Sequence, residues 1–272
     1  MPNNRLVAAF ADLRAAGRKT LVPFLTAGYP DLDTTRALLE DFEARGVRVC
    51  ELGVPFSDPI ADGPTIQASY TAALESGITS ERIFEGVRAY RDGGGAMALA
   101  AMVSYSIVFR HGVADYFAAA AKAGFDAMII PDLPVDEAGT VEPLATAAGL
   151  AHVLLIAPTT PPQRRVEIAA RSRGFLYYIS VAGITGQRDA LPGDTVEAVG
   201  ELRRHCQTPI CVGFGISRPE MVARVCEVAD GAIVGSAIIR RITDAAGGSR
   251  AKLISRIGGF VSELLAPISR GK

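Results

Sequence analysis

The chain has 272 residues, a formal net charge of −1 and an apolar fraction of 49%. That length suits one large domain of the size typical of an α/β barrel, and the apolar fraction can build a sizeable core. The charge balance excludes the electrostatic footprint of a nucleic-acid or anionic-membrane binder, and no apolar run reaches the ~18–20 residues that span a bilayer. The N-terminal stretch MPNNRLVAAFADLRAAGRK lacks the apolar segment and cleavage site of a signal peptide and reads as a short amphipathic helix. Four cysteines (Cys50, Cys206, Cys211, Cys226) form no CxxC pair and only three histidines accompany them, so no zinc site is expected. Reduced, mostly buried thiols in a cytoplasmic protein are expected instead.

Short apolar runs alternate with helical stretches along the whole chain. Strands are expected over Thr20–Thr26, 47–53, 97–104, 127–131, 152–157, 175–180, 209–212 and Gly231–Val234. Several are near-continuous apolar runs, as parallel strands buried on both faces require. Helices are expected over 33–45, 79–90, Val113–Ala123, 137–148, 162–172 and 196–205. About eight β/α units with no dividing linker predict a closed (β/α)8 TIM barrel with an extra N-terminal helix, one domain over 1–272. An open doubly wound sheet is the alternative. It is weakened because no Gly-x-Gly-x-x-Gly follows the first strand. The longest irregular segments, 54–64 and 181–194, both follow strands. They belong to the C-terminal face of a barrel, where active sites of this fold sit.

The second expected strand ends in a carboxylate, Glu51. Side chains alternate along a strand, so Val47, Val49 and Glu51 share one face, and Arg48, Cys50 and Leu52 the other. If the valines point into the barrel, Glu51 does too, at its mouth. Partial desolvation there raises a carboxyl pKa toward neutrality and suits proton transfer. The structural alternative is an ion pair with Arg48 or a lysine. In the following loop, Asp58 precedes Pro59 and fixes a turn. Asp62 stands before Gly63-Pro64, with a helix expected from Thr65, so it is either an N-terminal cap or a catalytic or binding carboxylate.

Glycines cluster after the last strands. Gly213-Phe214-Gly215-Ile216-Ser217 and Gly235-Ser236-Ala237 lie about one β/α unit apart, and Gly183-Ile184-Thr185-Gly186 follows the sixth strand. Glycines admit an anion close to backbone N–H groups, and helix N-termini add partial positive charge. Barrels commonly hold phosphate on the loops after strands seven and eight. The plainer reading is that these glycines only make tight turns.

These residues resemble the α subunit family of tryptophan synthase. The resemblance runs through Pro23-Phe24-Leu25-Thr26-Ala27-Gly28-Tyr29-Pro30-Asp31, the long stretch from Glu51 to Gln67, Pro131-Asp132-Leu133-Pro134, Ala157-Pro158-Thr159-Thr160, Gly183-Ile184-Thr185-Gly186 and Gly213-Phe214-Gly215-Ile216-Ser217. It implies retro-aldol cleavage of indole-3-glycerol phosphate to indole and glyceraldehyde 3-phosphate. Breaking that bond requires a proton on indole C3 and loss of a proton from a glycerol hydroxyl, work that falls to Glu51. By the family's pattern Asp62 stabilises the charge that develops on the indole N–H. Phe24, Tyr177 and Phe214 are candidates for the indole slot. Thr185, Gly186, Gly215, Gly235 and Ser236 are implied around the substrate, with 181–194 as a lid that closes over the site. No metal or organic cofactor is implied for this chain, since the family's pyridoxal phosphate belongs to the partner β subunit. An α2β2 heterotetramer is expected by resemblance, with indole passed to the β subunit and the loop carrying Pro55 and Asp58 near the contact.

One position departs from the pattern. Ser106 stands where the family usually has Asn, which offers an amide donor and an acceptor where Ser has one hydroxyl. The departure bears on partner coupling and leaves Glu51 and Asp62 untouched. Two rivals follow: a stand-alone lyase that releases free indole, and a degenerate barrel kept only to bind a β subunit. Intact carboxylates and phosphate loops count against the second.

Overall fold

The computed structural model describes residues 4–59, 62–180, 193–213 and 215–269. Every strand pairing in it is parallel. β1 (Thr20–Thr26) lies between β2 (Val49–Gly53) and β8 (Gly231–Val234). From β2 the ladder continues through β3 (Ala98–Met102) and β4 (Ala127–Ile129) to the first piece of β5, Ala151–Val153. The second piece of β5, Leu155–Ile156, pairs with β6 (Leu176–Ile179), which leads through β7 (Ile210–Gly213) back to β8. The two pieces form one segment broken at Leu154, whose amide donates to the hydroxyl of Ser172 at 3.0 Å instead of to a ladder partner. Hydrogen bonding therefore runs round a ring, and the open-sheet alternative is excluded.

Around the ring stand α1 (Arg5–Ala15), α2 (Leu32–Ala44), α3 (Pro64–Glu75), α4 (Ser80–Asp92), α5 (Tyr105–His111), α6 (Val113–Ala123), α7 (Val135–Ala147), α8 (Pro162–Arg171), α9 (Gly193–His205), α10 (Pro219–Val228), α11 (Ser236–Ala245) and α12 (Arg250–Leu265). The expected helices fall within a few residues of these. The expected strand over 97–104 stops early because Ser104 caps α5, a short helix that periodicity did not reveal. No helix among the described residues is long and apolar enough to cross a membrane.

The pleat sorts each strand into two apolar layers. Val22, Val49, Ala98, Ala100, Ala127 and Val153 fill the barrel, while Leu21, Leu25, Cys50, Leu52, Leu99 and Met128 face the helices. The bottom is plugged by α1, whose Leu6, Ala9, Phe10 and Leu13 join the interior cluster, with Phe10 and Phe175 ring centroids 5.6 Å apart. Asn4 holds that plug in place. Its side-chain oxygen accepts from the amides of Leu6 and Val7, and its Nδ2 donates to the carbonyls of Asp126 (2.7 Å) and Gly149 (2.9 Å). With the N-terminal end stopped, the barrel opens at its C-terminal mouth.

Candidate active site

Strand parity carries Glu51 into the barrel, one pleat above Val49. Val47 does not share that face as the alternation predicts. It precedes the extended segment and packs in the outer layer. The Glu51 side chain is 0% exposed, and neither carboxyl oxygen has a hydrogen-bond partner among the described residues. The structural ion pair is thereby excluded: Arg48 points outward, 3.5 Å from Asp12. Burial pushes the Glu51 pKa up to about 8, and the nearby charge of Asp62 adds to the rise. An acid with this environment holds its proton at neutral pH and, among the described residues, has no group to share it with.

Asp62 does not cap α3. That helix starts at Pro64 rather than Thr65, its cap position is Gly63, and no side chain accepts a hydrogen bond there. Proline suits the first helical position because its missing N–H would be an orphan anyway. What anchors Asp62 is its backbone: Gln67 Nε2 donates to the Asp62 carbonyl at 2.8 Å and to the Pro59 carbonyl at 3.3 Å. The carboxylate is left to the cavity, where burial raises its pKa to about 6. Asp58 has the opposite environment. It is exposed, and accepts from the Ser57 hydroxyl at 2.6 Å.

Glu51 and Asp62 share one cavity of about 750 Å³, which opens at the C-terminal ends of the strands. Of the expected binding residues, Phe24, Tyr177, Gly215, Gly235 and Ser236 also line it. Thr185, Gly186 and Phe214, and most of the segment 181–194, lie outside the described residues. Apolar walls come from Met102, Leu133, Leu154, Ile179 and Ile233 beside the two aromatic rings. Such a slot suits a flat aromatic ligand with few polar atoms.

Two glycines shape this space for different reasons. A Cβ on Gly53 would stand 2.4 Å from the Phe24 ring and 2.5 Å from the Tyr70 hydroxyl, so only glycine lets both rings approach. Gly215 has φ +77°, left-handed backbone that other residues adopt at a cost, although a Cβ there would meet nothing. Ser236, which lines the same cavity, opens α11; the Ile238 and Ile239 amides donate to the Gly235 carbonyl, and those of Ser236 and Ala237 precede the first intrahelical bond. The cradle therefore combines a left-handed glycine turn with a helix N-terminus, a pairing suited to an anion.

Sequence reasoning missed three lining residues that carry charge: Asp132, Arg164 and Arg240. Asp132 accepts from the Ser104 hydroxyl (2.7 Å) and the Tyr105 amide (2.8 Å), which ties the cavity wall to the start of α5. The strand-end signal in Pro131-Asp132 pointed to it. Arg164 is held by Asp136 and by Glu167 at 3.6 Å. Nothing in the local sequence distinguished either arginine from an ordinary helix-surface residue.

A parallel barrel that buries one carboxylic acid beside a second in an apolar-walled cavity at its C-terminal mouth has the architecture of an acid–base barrel enzyme. Similarity to known proteins narrows the class. The family model for the tryptophan synthase alpha chain matches residues 10–262. The tryptophan synthase alpha chain of Rhodopirellula baltica is 48% identical over 242 residues, covering 88% of this chain and 87% of the relative. That of Chloroflexus aurantiacus is 43% identical, covering 98% and 99%. Among solved structures, tryptophan synthase subunit alpha from Legionella pneumophila superposes with a TM-score of 0.88 at 34% identity, covering 98% of each chain. A tryptophan synthase structure from M. tuberculosis gives 0.86 at 31% identity, covering 98% of this chain and 99% of that one. The chain belongs to the tryptophan synthase alpha chain family. It is a carbon–carbon lyase of that family, whose reaction is cleavage of indole-3-glycerol phosphate.

Proposed function

We propose that Glu51 carries the proton in both halves of the cleavage and that Asp62 stabilises the charge formed between them. The single observation behind this reading is the buried Glu51 carboxyl group, which has no hydrogen-bond partner among the described residues and lines the cavity. Protonated Glu51 gives its proton to indole C3. The ring then carries positive charge at its nitrogen, and the Asp62 carboxylate accepts a hydrogen bond from that N–H. The Glu51 carboxylate so formed takes the proton of the glycerol hydroxyl on the carbon attached to C3. The carbon–carbon bond breaks, its electron pair neutralises the ring, and an aldehyde is left. The products are indole and glyceraldehyde 3-phosphate, with Glu51 again protonated. No net proton is consumed, which suits a carboxyl with a pKa of about 8 working near neutrality.

Phe24 and Tyr177 form the indole slot in this reading, and the turn at Gly215 with the N-terminus of α11 at Gly235 and Ser236 holds the phosphate. The sequence reading adds Thr185, Gly186 and Phe214 to this set. Gly215→Val is expected to raise KM for indole-3-glycerol phosphate roughly tenfold or more, and to weaken inhibition by inorganic phosphate in parallel, because a β-branched residue strains the left-handed turn and shifts its backbone donors. Unchanged phosphate inhibition would remove Gly215 from the cradle.

The same reading makes this chain one half of an assembly. The β2 and β3 loops form one rim of the mouth, and that rim carries exposed Asp58, exposed Ser106 and a Phe109 ring that is 67% exposed beside Tyr105. An exposed aromatic beside the mouth is the kind of feature that a partner surface covers. We assign that rim to a tryptophan synthase β subunit in an α2β2 complex, and the chain, with its four free thiols, to the cytoplasm as one domain. Turnover of indole-3-glycerol phosphate with and without added β subunit tests this. A large rise on addition is expected. High activity alone, with no rise, would make the chain the stand-alone lyase instead.

A further inference from the structure

We propose that Arg240 is a further substrate-binding residue, whose guanidinium completes the phosphate cradle that otherwise consists of backbone donors. The proposal rests on the cradle reading of Gly215, Gly235 and Ser236. Arg240 lies one helical turn after Ser236 on α11, and its side chain lines the same cavity. Helical side chains lean toward the N-terminus of their helix, so a residue four positions on lies over the first turn. A guanidinium on such a stem reaches the space in front of the first-turn amides, where an anion held by Gly235 and Ser236 would sit. Its planar donors match phosphate oxygens in pairs, which backbone amides alone do not provide.

The charges around the mouth single it out. Arg164, the other lining arginine, is already occupied by Asp136 and Glu167. The adjacent Arg241 turns the opposite way: it lies 3.5 Å over the Phe260 ring and donates to the Ala237 carbonyl at 3.0 Å. Arg240 makes no ion pair or hydrogen bond among the described residues, although Asp244 lies one turn further along the same helix. Glu51, Asp62 and Asp132 also line the cavity. A dianionic substrate entering past three carboxylic acids gains from one unpaired cation at the end where its phosphate must come to rest.

The test compares Arg240→Gln and Arg240→Lys with Arg88→Gln, which removes the same charge from the exposed surface of α4. Arg240→Gln is expected to raise KM for indole-3-glycerol phosphate about tenfold with kcat nearly unchanged. Competitive inhibition by inorganic phosphate and by glycerol 3-phosphate should weaken by the same factor, while binding of indole, which has no phosphate, should not move. The lysine variant keeps the charge and should recover much of the loss, and Arg88→Gln should behave as the parent. If phosphate inhibits the parent and Arg240→Gln equally, Arg240 is not part of the site and the backbone cradle stands. If phosphate does not compete with substrate in the parent at all, the cradle reading fails, and this proposal fails with it.

Discussion

Glu51→Gln is expected to lower kcat for indole-3-glycerol phosphate by roughly 10²–10⁴-fold, the range general acid–base groups supply, while substrate still binds. The replacement keeps the shape of the side chain and removes only its ability to ionise. Stability provides the control. Because the folded-state pKa of Glu51 is raised to about 8, the unfolded chain releases this proton at lower pH than the folded one. Glu51 therefore costs stability that grows as pH rises from about 4.5 toward 8, and the glutamine variant escapes that cost. Its thermal midpoint should equal or exceed that of the parent above neutral pH. A variant that is inactive and fully folded supports the proton-carrying role; near-normal turnover would end it. The parent should also lose activity as pH rises through about 8, where free-enzyme Glu51 gives up the proton that C3 needs.

Asp62→Asn should lower kcat about a hundredfold, with a smaller effect on KM, because the lost interaction strengthens only as the indole nitrogen becomes positive. In the parent, kcat/KM should rise with pH through about 6 as Asp62 ionises. That acid limb should be absent from the asparagine variant. The buried His152, whose ring nitrogens have no partner among the described residues, offers a competing cause of acid inactivation. Burial lowers its pKa from 6.5 to about 4. The unfolded chain therefore binds a proton that the folded one refuses, and stability falls as pH drops from 6.5 toward 4. Circular dichroism at each pH separates the two. A limb that survives Asp62→Asn in folded protein would show that some other group sets it.

Much of the arrangement was legible in one dimension. The β/α alternation, the barrel and the N-terminal helix followed from hydrophobic periodicity, because parallel strands buried on both faces read as apolar runs. Strand parity was sufficient to aim Glu51 inward from Val49, even though Val47 proved to be outside the extended segment. Family resemblance supplied the reaction and the assignment of Asp62, which spacing alone left divided between cap and carboxylate.

Long-range placement decided the rest. Whether Asp62 caps α3 depends on where its side chain points, and only the fold shows Gly63 at the cap and the Asp62 backbone gripped by Gln67. The break in β5 at Leu154 and the helix α5 after Ser104 arise from contacts with Ser172 and Asp132, each 18 or 28 residues away in the chain. Arg164 and Arg240 carry identical charge on helix positions, Arg164 half-buried and Arg240 exposed, and no local pattern separates them. One is neutralised by Asp136 and Glu167, and the other lines the cavity without an ion pair among the described residues. The sequence by itself thus determined the barrel and the inward direction of Glu51 at the end of β2, because periodicity and strand parity are local properties of the chain. Only the tertiary structure decided that Glu51 has no hydrogen-bond partner among the described residues and a pKa raised to about 8, because desolvation depends on every element that closes around the carboxyl group.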